Sequence, residues 1–258
     1  LKALPTGPRP NRIVGFIPAR AESSRFPGKP LADILGKPMI VQVLQRVAQS
    51  PLLDDVWVAT DSEAIFNSVR QHHGKAVMTA TAHPSGSDRV AEAARHIGLQ
   101  PDDIVVNIQG DQPLLEPTMI EEVARPLLDD PYLPMSTLIY RIVRDEEINH
   151  PNAVKTTFDR DGFALYFSRA TIPHFGAQEP GPQYYKHHGI YGYRNDFLQA
   201  FARLAPSPLE IAERLEQLRA LEHGYRIKVI ITDKDSIEVD TPQDLERVRA
   251  VLARERLT

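Results

Sequence analysis

The stretch "RIVGFIPARAESSRFPGKPL" (Arg12–Leu31) decides how the chain reads. After Arg12 it opens on an apolar run, Ile13–Ile17, with β-branched side chains, the mark of a short buried strand. The rest is a loop carrying Arg20, Arg25 and Lys29 with no apolar run of its own. A strand that ends in a cationic loop suits a polyanion, above all a triphosphate. Gly28 lets backbone approach such a ligand closely. The pattern G-x-x-x-x-G-K-[ST] is absent from the loop, and so is G-x-G-x-x-G, so neither a P-loop nor a dinucleotide fingerprint is present there. Ordinary solvated cations on a surface loop are the competing reading.

Outward from that loop, strands and helices alternate. Lys37–Ser50 has apolar residues at Ile40, Val43, Leu44 and Val47, which predicts a helix with Pro38 in its first turn. Asp55–Thr60 reads as a strand, the stretch 61–74 as a helix ending at Gly74, and 75–79 as a strand. A helix follows with Ser87 as its expected cap, then a strand over Asp103–Gln109 and a helix over 117–128 disturbed at Pro126. This rhythm predicts βαβ units and a mostly parallel sheet flanked by helices. Ligands in such sheets sit at the carboxyl ends of the strands, where the opening loop and "GDQP" both fall.

From about Met135 the rhythm changes to strands with few helices between them, which predicts a smaller mixed or antiparallel sub-domain over about 135–200. The stretch 208–224 reads as one amphipathic helix with Leu209, Ala212, Leu215, Leu218 and Leu221 on a face. A strand over 226–232 and a helix from Thr241 complete the pattern, with Thr241 as cap and Pro242 at the first position. Residues 1–12 read as a flexible lead-in outside a single domain of 13–258.

The chain has 258 residues, 42% hydrophobic and 25% charged, enough to bury a sizeable core. A net charge of −4 argues against general nucleic-acid binding. There is no cysteine, which excludes disulfides, thiolate metal sites and thiol nucleophiles. No apolar run approaches the roughly 18–20 residues a membrane helix needs. A cytoplasmic protein is the expectation.

Several residues stand where chemistry could be done. Asp111 lies just past an apolar strand, where a carboxylate can hold Mg²⁺ on a phosphate or simply form a turn. Asp240 is a second carboxylate, free for a metal if Thr241 takes the helix cap. Asp233 and Asp235 read as a solvated turn. The small-residue loop "HPSGSDR" (His83–Arg89) could read a base edge or merely start a helix. "YFSRATIP" and "KHHGIYGYR" bring Arg169, Lys186, His187, His188, Tyr191 and Arg194, a set suited to a carboxylated sugar. A single histidine is as readily structural, and Glu216 and Gln217 as readily belong to a solvated helix side.

These pieces in this order resemble the 3-deoxy-manno-octulosonate cytidylyltransferases, or CMP-Kdo synthetases. The resemblance rests on "IPARAESSRFPGKPLADILGKPMI", "HPSGSDR", "VVNIQGDQPLL", "HPNAVK", "ALYFSRATIP", "KHHGIYGYR", "PSPLEIAERLEQLRAL" and "VDTPQDLERVR", and covers about Ile13 to Arg249. It implies a Rossmann-like α/β fold of the nucleotide-diphospho-sugar transferase type. It implies attack of the anomeric hydroxyl of Kdo (3-deoxy-D-manno-octulosonate) on the α-phosphorus of CTP, for lipopolysaccharide synthesis. By motif, Arg20, Ser23, Arg25 and Lys29 would hold the CTP phosphates. Ser85, Gly86, Arg89 and Gln109 would surround cytosine and ribose, and Asp111 and Asp240 would bind Mg²⁺. Arg169, His187, Tyr191, Glu216 and Gln217 would line the sugar site. A homodimer through the smaller sub-domain is the family expectation. The chain departs from the usual "QGDEP" at Gln112, from the usual Thr at Ser87 and from an aliphatic residue at His188, and its stretch 177–186 is short. These departures leave room for 8-amino-Kdo or another acidic sugar, and a nucleotide binder without turnover is the alternative of a different class.

Overall fold

A computed structural model describes residues 11–20, 26–176 and 181–255. Strand β1 (Ile13–Ala19) is buried along nearly its whole length. Its alternation sends Ile13 and Ile17 into one core and Val14 and Phe16 into another. That two-sided burial is why the opening run is apolar without a polar face.

Beyond the cationic loop, Gly28 takes the left-handed conformation (φ 71°) and turns the chain into a short 3₁₀ turn at Lys29–Leu31. A tight hairpin of β2 (Asp33–Ile34) and β3 (Lys37–Pro38) follows, turning through Leu35 and Gly36, both at positive φ. Helix α1 (Met39–Val47) therefore begins two residues later than its periodicity suggests, and Pro38 precedes it rather than occupying its first turn. The hairpin separates the loop from this helix, so α1 does not open directly onto it. Strand β4 (Asp55–Thr60), α2 (Glu63–Gln71, capped by Ser62) and β5 (Lys75–Met78) come next.

Helix α3 (Gly86–His96) is capped by Ser85, whose side chain accepts from the Asp88 N–H, and not by Ser87. Ser87 is fully buried inside the first turn and its hydroxyl is engaged elsewhere. Strand β6 (Ile104–Asn107) leads to α4 (Thr118–Asp129), which runs through Pro126 without ending there.

The later half holds β7 (Met135–Arg141), the short α5 (Asp145–Ile148), β8 (Lys155–Phe158), β9 (Ala164–Ser168) and the long β10 (Tyr185–Arg194). Then come α6 (Asn195–Phe201), α7 (Pro208–Glu213), α8 (Gln217–Glu222), β11 (Ile227–Thr232) and α9 (Pro242–Glu255). The single helix read over 208–224 is thus two. Arg214 adopts the left-handed conformation (φ 55°) and ends α7, leaving Leu209 and Ile211 exposed while Leu215 and Leu218 stay buried. The break sets Glu216 and Gln217 at the start of α8.

The strands form one nine-stranded sheet whose main path is β11-β7-β10-β6-β1-β4-β5, with β8 and β9 branching from β10. The path is parallel except for β10, which runs antiparallel to both β6 and β7. Residues 135–200 thereby supply two strands of the central sheet and the antiparallel β8–β9 branch. Helices α1, α2 and α4 pack on one face, and α3, α6 and α8 on the other. A third apolar cluster joins Ile34 and Met39 to Val239, Leu245 and Val248, fastening α9 over the β2–β3 hairpin. Among the described residues no helix is long and apolar enough to cross a membrane.

Candidate active site

The winding of the sheet reverses at β1, whose neighbours are β4 on one side and β6 on the other. A crevice opens outside the strand ends at such a switch point. Here it is a cavity of about 120 Å³ lined by Pro18, Ala19, Arg20, His83, Ser85, Gly86, Arg89 and Gln109. Arg20 at the end of β1 is exposed and available to a ligand. Gly86 opens α3 against Pro18, and a Cβ there would stand 3.3 Å from the proline ring. Arg89 is almost wholly buried and donates to Thr79 Oγ1 (2.6 Å), the Ala80 carbonyl (3.2 Å) and Asp61 Oδ2 (2.8 Å). It shapes the cavity wall by tying α3 to the ends of β4 and β5.

A second cluster gathers charged side chains from the opening loop, the segment after Gln109 and the segment before α9. Lys29 Nζ donates to Asp111 Oδ2 at 2.8 Å and stands 3.5 Å from Asp240 Oδ1. Two carboxylates from distant segments therefore face one cation. Thr241 caps α9, its Oγ1 accepting from the Asp244 N–H at 3.2 Å, which leaves the Asp240 side chain to the site. The Val239 N–H donates to the Asp111 carbonyl at 2.9 Å and pins the two segments together. Gln112, fully buried, donates from Nε2 to Glu238 Oε1 at 3.1 Å. Burial, then the neighbouring Asp111 and Asp240 carboxylates, hold the Glu238 carboxyl above the usual carboxylate range. Ser23 and Arg25 lie outside the described residues.

The third part of the site gathers on β10 and α8. A bulge at Gly189 and Ile190 interrupts the β10–β7 register, and the Gly189 carbonyl accepts from Gln109 Nε2 at 2.9 Å. His187 packs edge-on to Phe167 and lies 5.3 Å from the Tyr191 ring, centre to centre. Since the Thr137 hydroxyl donates to the Ile190 carbonyl (2.7 Å), its oxygen is left to accept from His187 Nε2–H (2.8 Å). That tautomer leaves Nδ1 as an acceptor. Burial, aided by the charge of His188, pushes His187 down to about 3, so the ring is neutral at pH 7.

Tyr191 Oη donates to Gln217 Oε1 at 3.1 Å. Ser87 Oγ donates to Glu216 Oε1 at 2.9 Å and accepts from Asn107 Nδ2 at 3.1 Å, with Tyr193 Oη 3.0 Å away. Burial pushes the Glu216 carboxyl up. Around this network Asn107 Oδ1, Glu216 Oε2 and Gln217 Nε2 are buried and make no hydrogen bond among the described residues. Buried polar atoms of this kind are uncommon and suit the hydroxyls of a ligand.

Arg169 is placed differently from the other expected sugar contacts. Its guanidinium donates to the carbonyls of Glu213 (2.8 Å), Pro151 (3.0 Å) and Arg214 (3.5 Å). The fully buried Lys155 donates to the carbonyls of His150 (2.9 Å) and Arg169 (2.8 Å) beneath it. The pair braces the chain at the α7–α8 break.

Residue-level reading overlooked several members of the site. His83 lines the cavity and is held by Glu92, yet it had only its place at the head of "HPSGSDR" to mark it. Asn107 and Glu238 carried no signal beyond adjacency to the named motifs. Asp235, read as part of a solvated turn, instead accepts from Lys186 Nζ at 2.9 Å, beside Glu147 and His188. His188 points to that cluster, on the face of β10 opposite to His187.

The cytidylyltransferase family model matches residues 14–230. The 3-deoxy-manno-octulosonate cytidylyltransferase of Syntrophus aciditrophicus (strain SB) is 60% identical over 241 residues, covering 93% of this chain and 97% of its own. The 8-amino-3,8-dideoxy-manno-octulosonate cytidylyltransferase of Shewanella sp. (strain ANA-3) is 51% identical over 239 residues, covering 92% of this chain and 97% of its own. Among solved structures, CMP:2-keto-3-deoxy-manno-octonic acid synthetase complexed with CTP is 43% identical with a TM-score of 0.89, covering 95% of this chain and 100% of that one.

Proposed function

The chain belongs to the cytidylyltransferase family, and from that premise we propose that it couples CTP to Kdo, giving CMP-Kdo and pyrophosphate. It is a nucleotidyltransferase, which removes the reading as a binder without turnover. The observation that carries the reaction is the alignment of three parts along the strand ends. Gln109 lines a cavity with Ser85, Gly86 and Arg89, stands two residues before Asp111 of the Lys29–Asp111–Asp240 cluster, and bonds Gly189 at the edge of the polar network on β10 and α8.

In the reaction the anomeric hydroxyl of Kdo attacks the α-phosphorus of CTP. One phosphorus–oxygen bond forms to the sugar, the bond from the α-phosphorus to the bridging oxygen of the β-phosphate breaks, pyrophosphate leaves, and the hydroxyl proton passes to solvent. Positioning and charge neutralisation are the work left to the protein. Arg20 and Lys29 hold the phosphates and offset the charge that builds on the leaving pyrophosphate. Gln109 fixes Gly189 and so the edge of the sugar side. Neutral His187, Gln217 and Glu216 read sugar hydroxyls, and the Tyr191 hydroxyl fixes the Gln217 amide so that Nε2 faces the ligand.

Asp111 and Asp240 are oxygen ligands that both face one cation, and this donor set fits Mg²⁺, which takes few protein ligands and keeps waters and phosphate oxygens. Among the described residues no three Asp, Glu or His side chains stand in ligand geometry. Bound there, Mg²⁺ would neutralise phosphate charge. Asp111→Asn and Asp240→Asn should each cut turnover by roughly 100-fold or more with the fold retained, the scale of losing one electrostatic stabiliser of a transition state. Near-normal rates in both variants would remove the shared-metal reading.

The same proposal places the enzyme in the cytoplasm, in the synthesis of lipopolysaccharide, as a homodimer through the stretch 135–200. The resemblance to the Shewanella enzyme supports 8-amino-Kdo as the alternative acceptor in place of Kdo. Parallel assays of pyrophosphate release with the two sugars separate the readings.

A further inference from the structure

Ser87 has no exposed surface, and its hydroxyl meets three side chains brought from β6, β10 and the head of α8. It donates to Glu216 Oε1 at 2.9 Å, accepts from Asn107 Nδ2 at 3.1 Å and stands 3.0 Å from Tyr193 Oη. With its one proton given to Glu216, the Tyr193 hydroxyl donates to it, so its donor and both acceptor places are filled. Ser85 is the other hydroxyl beside the Glu216 carboxyl, but its proton goes to Asp88 Oδ2 at 2.7 Å. Ser87 thus holds Glu216 by Oε1, and Oε2 is left buried and without a hydrogen bond among the described residues. A buried acceptor with nothing to accept is costly by itself and suits the O–H of a ligand.

Ser87 also stands between the nucleotide cavity and α8. It follows Ser85 and Gly86, which line the cavity, and is not itself part of that lining. Asp88, in the same turn of α3, accepts from Arg219 Nη1 at 3.4 Å, and both residues are buried. The first turns of α3 and α8 are therefore joined twice, by Ser87 to Glu216 and by Asp88 to Arg219. Asn107 and Tyr193 brace the serine oxygen from the sheet. A carboxyl held this way meets its ligand already oriented, which lowers the cost of ordering it on binding.

We propose that Ser87 is a positioning residue of the sugar side, whose hydroxyl fixes the Glu216 carboxyl in the orientation that meets a hydroxyl of the acceptor sugar. The inference rests on the reading of Glu216 as a sugar contact. It gives the serine in the turn that borders the nucleotide cavity a part in acceptor binding, which it plays without touching either substrate.

The test uses the whole chain and pyrophosphate release at saturating CTP, with Kdo or 8-amino-Kdo varied, whichever the wild type turns over. Ser87→Ala should raise KM for the sugar roughly 10-fold, the scale of one hydrogen bond to a charged group, with kcat less changed. CTP binding measured alone by calorimetry should stay near wild type, and Ser87→Thr, which keeps the hydroxyl, should restore KM. Glu216→Ala should raise KM further, and adding Ser87→Ala to it should do nothing more, because the two act through one carboxyl. Tyr193→Phe removes one brace of the serine and keeps the ring, so it should shift KM in the same direction, and it serves if Ser87→Ala does not fold. A raised KM in Glu216→Ala with unchanged KM in Ser87→Ala, or in Tyr193→Phe where it stands in, overturns this inference alone. A Ser87→Ala effect that persists in full beside Glu216→Ala, or that falls on CTP as much as on the sugar, also overturns it. Unchanged KM in Glu216→Ala overturns the sugar reading of α8 beneath it, and a wild type that turns over neither sugar overturns the proposed function.

Discussion

Lys29 Nζ donates to Asp111 Oδ2 at 2.8 Å across 82 positions of sequence. The pair joins the opening loop to the segment after β6, with both side chains mostly shielded from solvent. Lys29→Met removes the ammonium that both Asp111 and Asp240 approach. A charge-assisted contact is worth about 1.5–3 kcal/mol, so kcat/KM for CTP should fall roughly 10- to 100-fold. Steady-state kinetics at saturating Kdo check this, and unchanged constants would return Lys29 to a surface role.

Gln217 is oriented by Tyr191. Tyr191→Phe removes the donor to Gln217 Oε1 and frees the amide to turn. Gln217→Ala removes the hydrogen-bonding group itself. Both should raise KM for Kdo, the alanine variant more, while CTP binding measured alone by calorimetry stays near wild type. Loss of CTP binding in both would show that α8 serves the nucleotide and not the sugar.

Stability should decline in mild acid because of His188 together with His187. Burial pushes the pKa of His188 down to about 4 and that of His187 down to about 3, against an ordinary value of about 6.5 when unfolded. Above pH 6.5 both states are neutral there and the groups are silent. As pH falls from 6.5 towards 4 the unfolded chain takes up at each a proton that the folded chain refuses, so stability drops by up to ~1.4 kcal/mol per pH unit from each group. His188→Asn should remove its share of that slope from the melting-temperature profile. A variant profile as steep as wild type would assign the acid sensitivity to other groups.

Arg214 is a non-glycine residue in the left-handed conformation, with an exposed side chain. Arg214→Gly relieves a backbone cost of about 1 kcal/mol, partly offset by the greater freedom of glycine when unfolded. Melting temperature should hold or rise by a few degrees, with the α7–α8 break preserved. A marked fall would mean that the Arg214 side chain contributes more than its exposure suggests.

The parts of this molecule that were legible in sequence are those set by short-range rules. The apolar runs of β1 and β6 could only be buried strands, and Thr241 next to Pro242 marked the cap that leaves Asp240 to the site. The β2–β3 hairpin was too short to show a period. The break at Arg214 has no glycine or proline at that position to announce it, and only tertiary packing selects it. Ser85 and Ser87 are equivalent as caps by composition, and the choice is made by Tyr193, Asn107 and Glu216, all distant in sequence. The set expected to face the sugar came from resemblance to a family, since spacing alone does not bring His187 and Tyr191 to Gln217. Arg169, expected in that set, makes three bonds to backbone carbonyls near the α7–α8 break.

The measurement that bears most directly on the whole account is pyrophosphate release from CTP by the purified chain with Mg²⁺ and Kdo. Release that requires all three, yields CMP-Kdo in equal amount and is lost in Asp111→Asn is the predicted result. No release with Kdo, or release from CTP that is indifferent to the presence of the sugar, would contradict it.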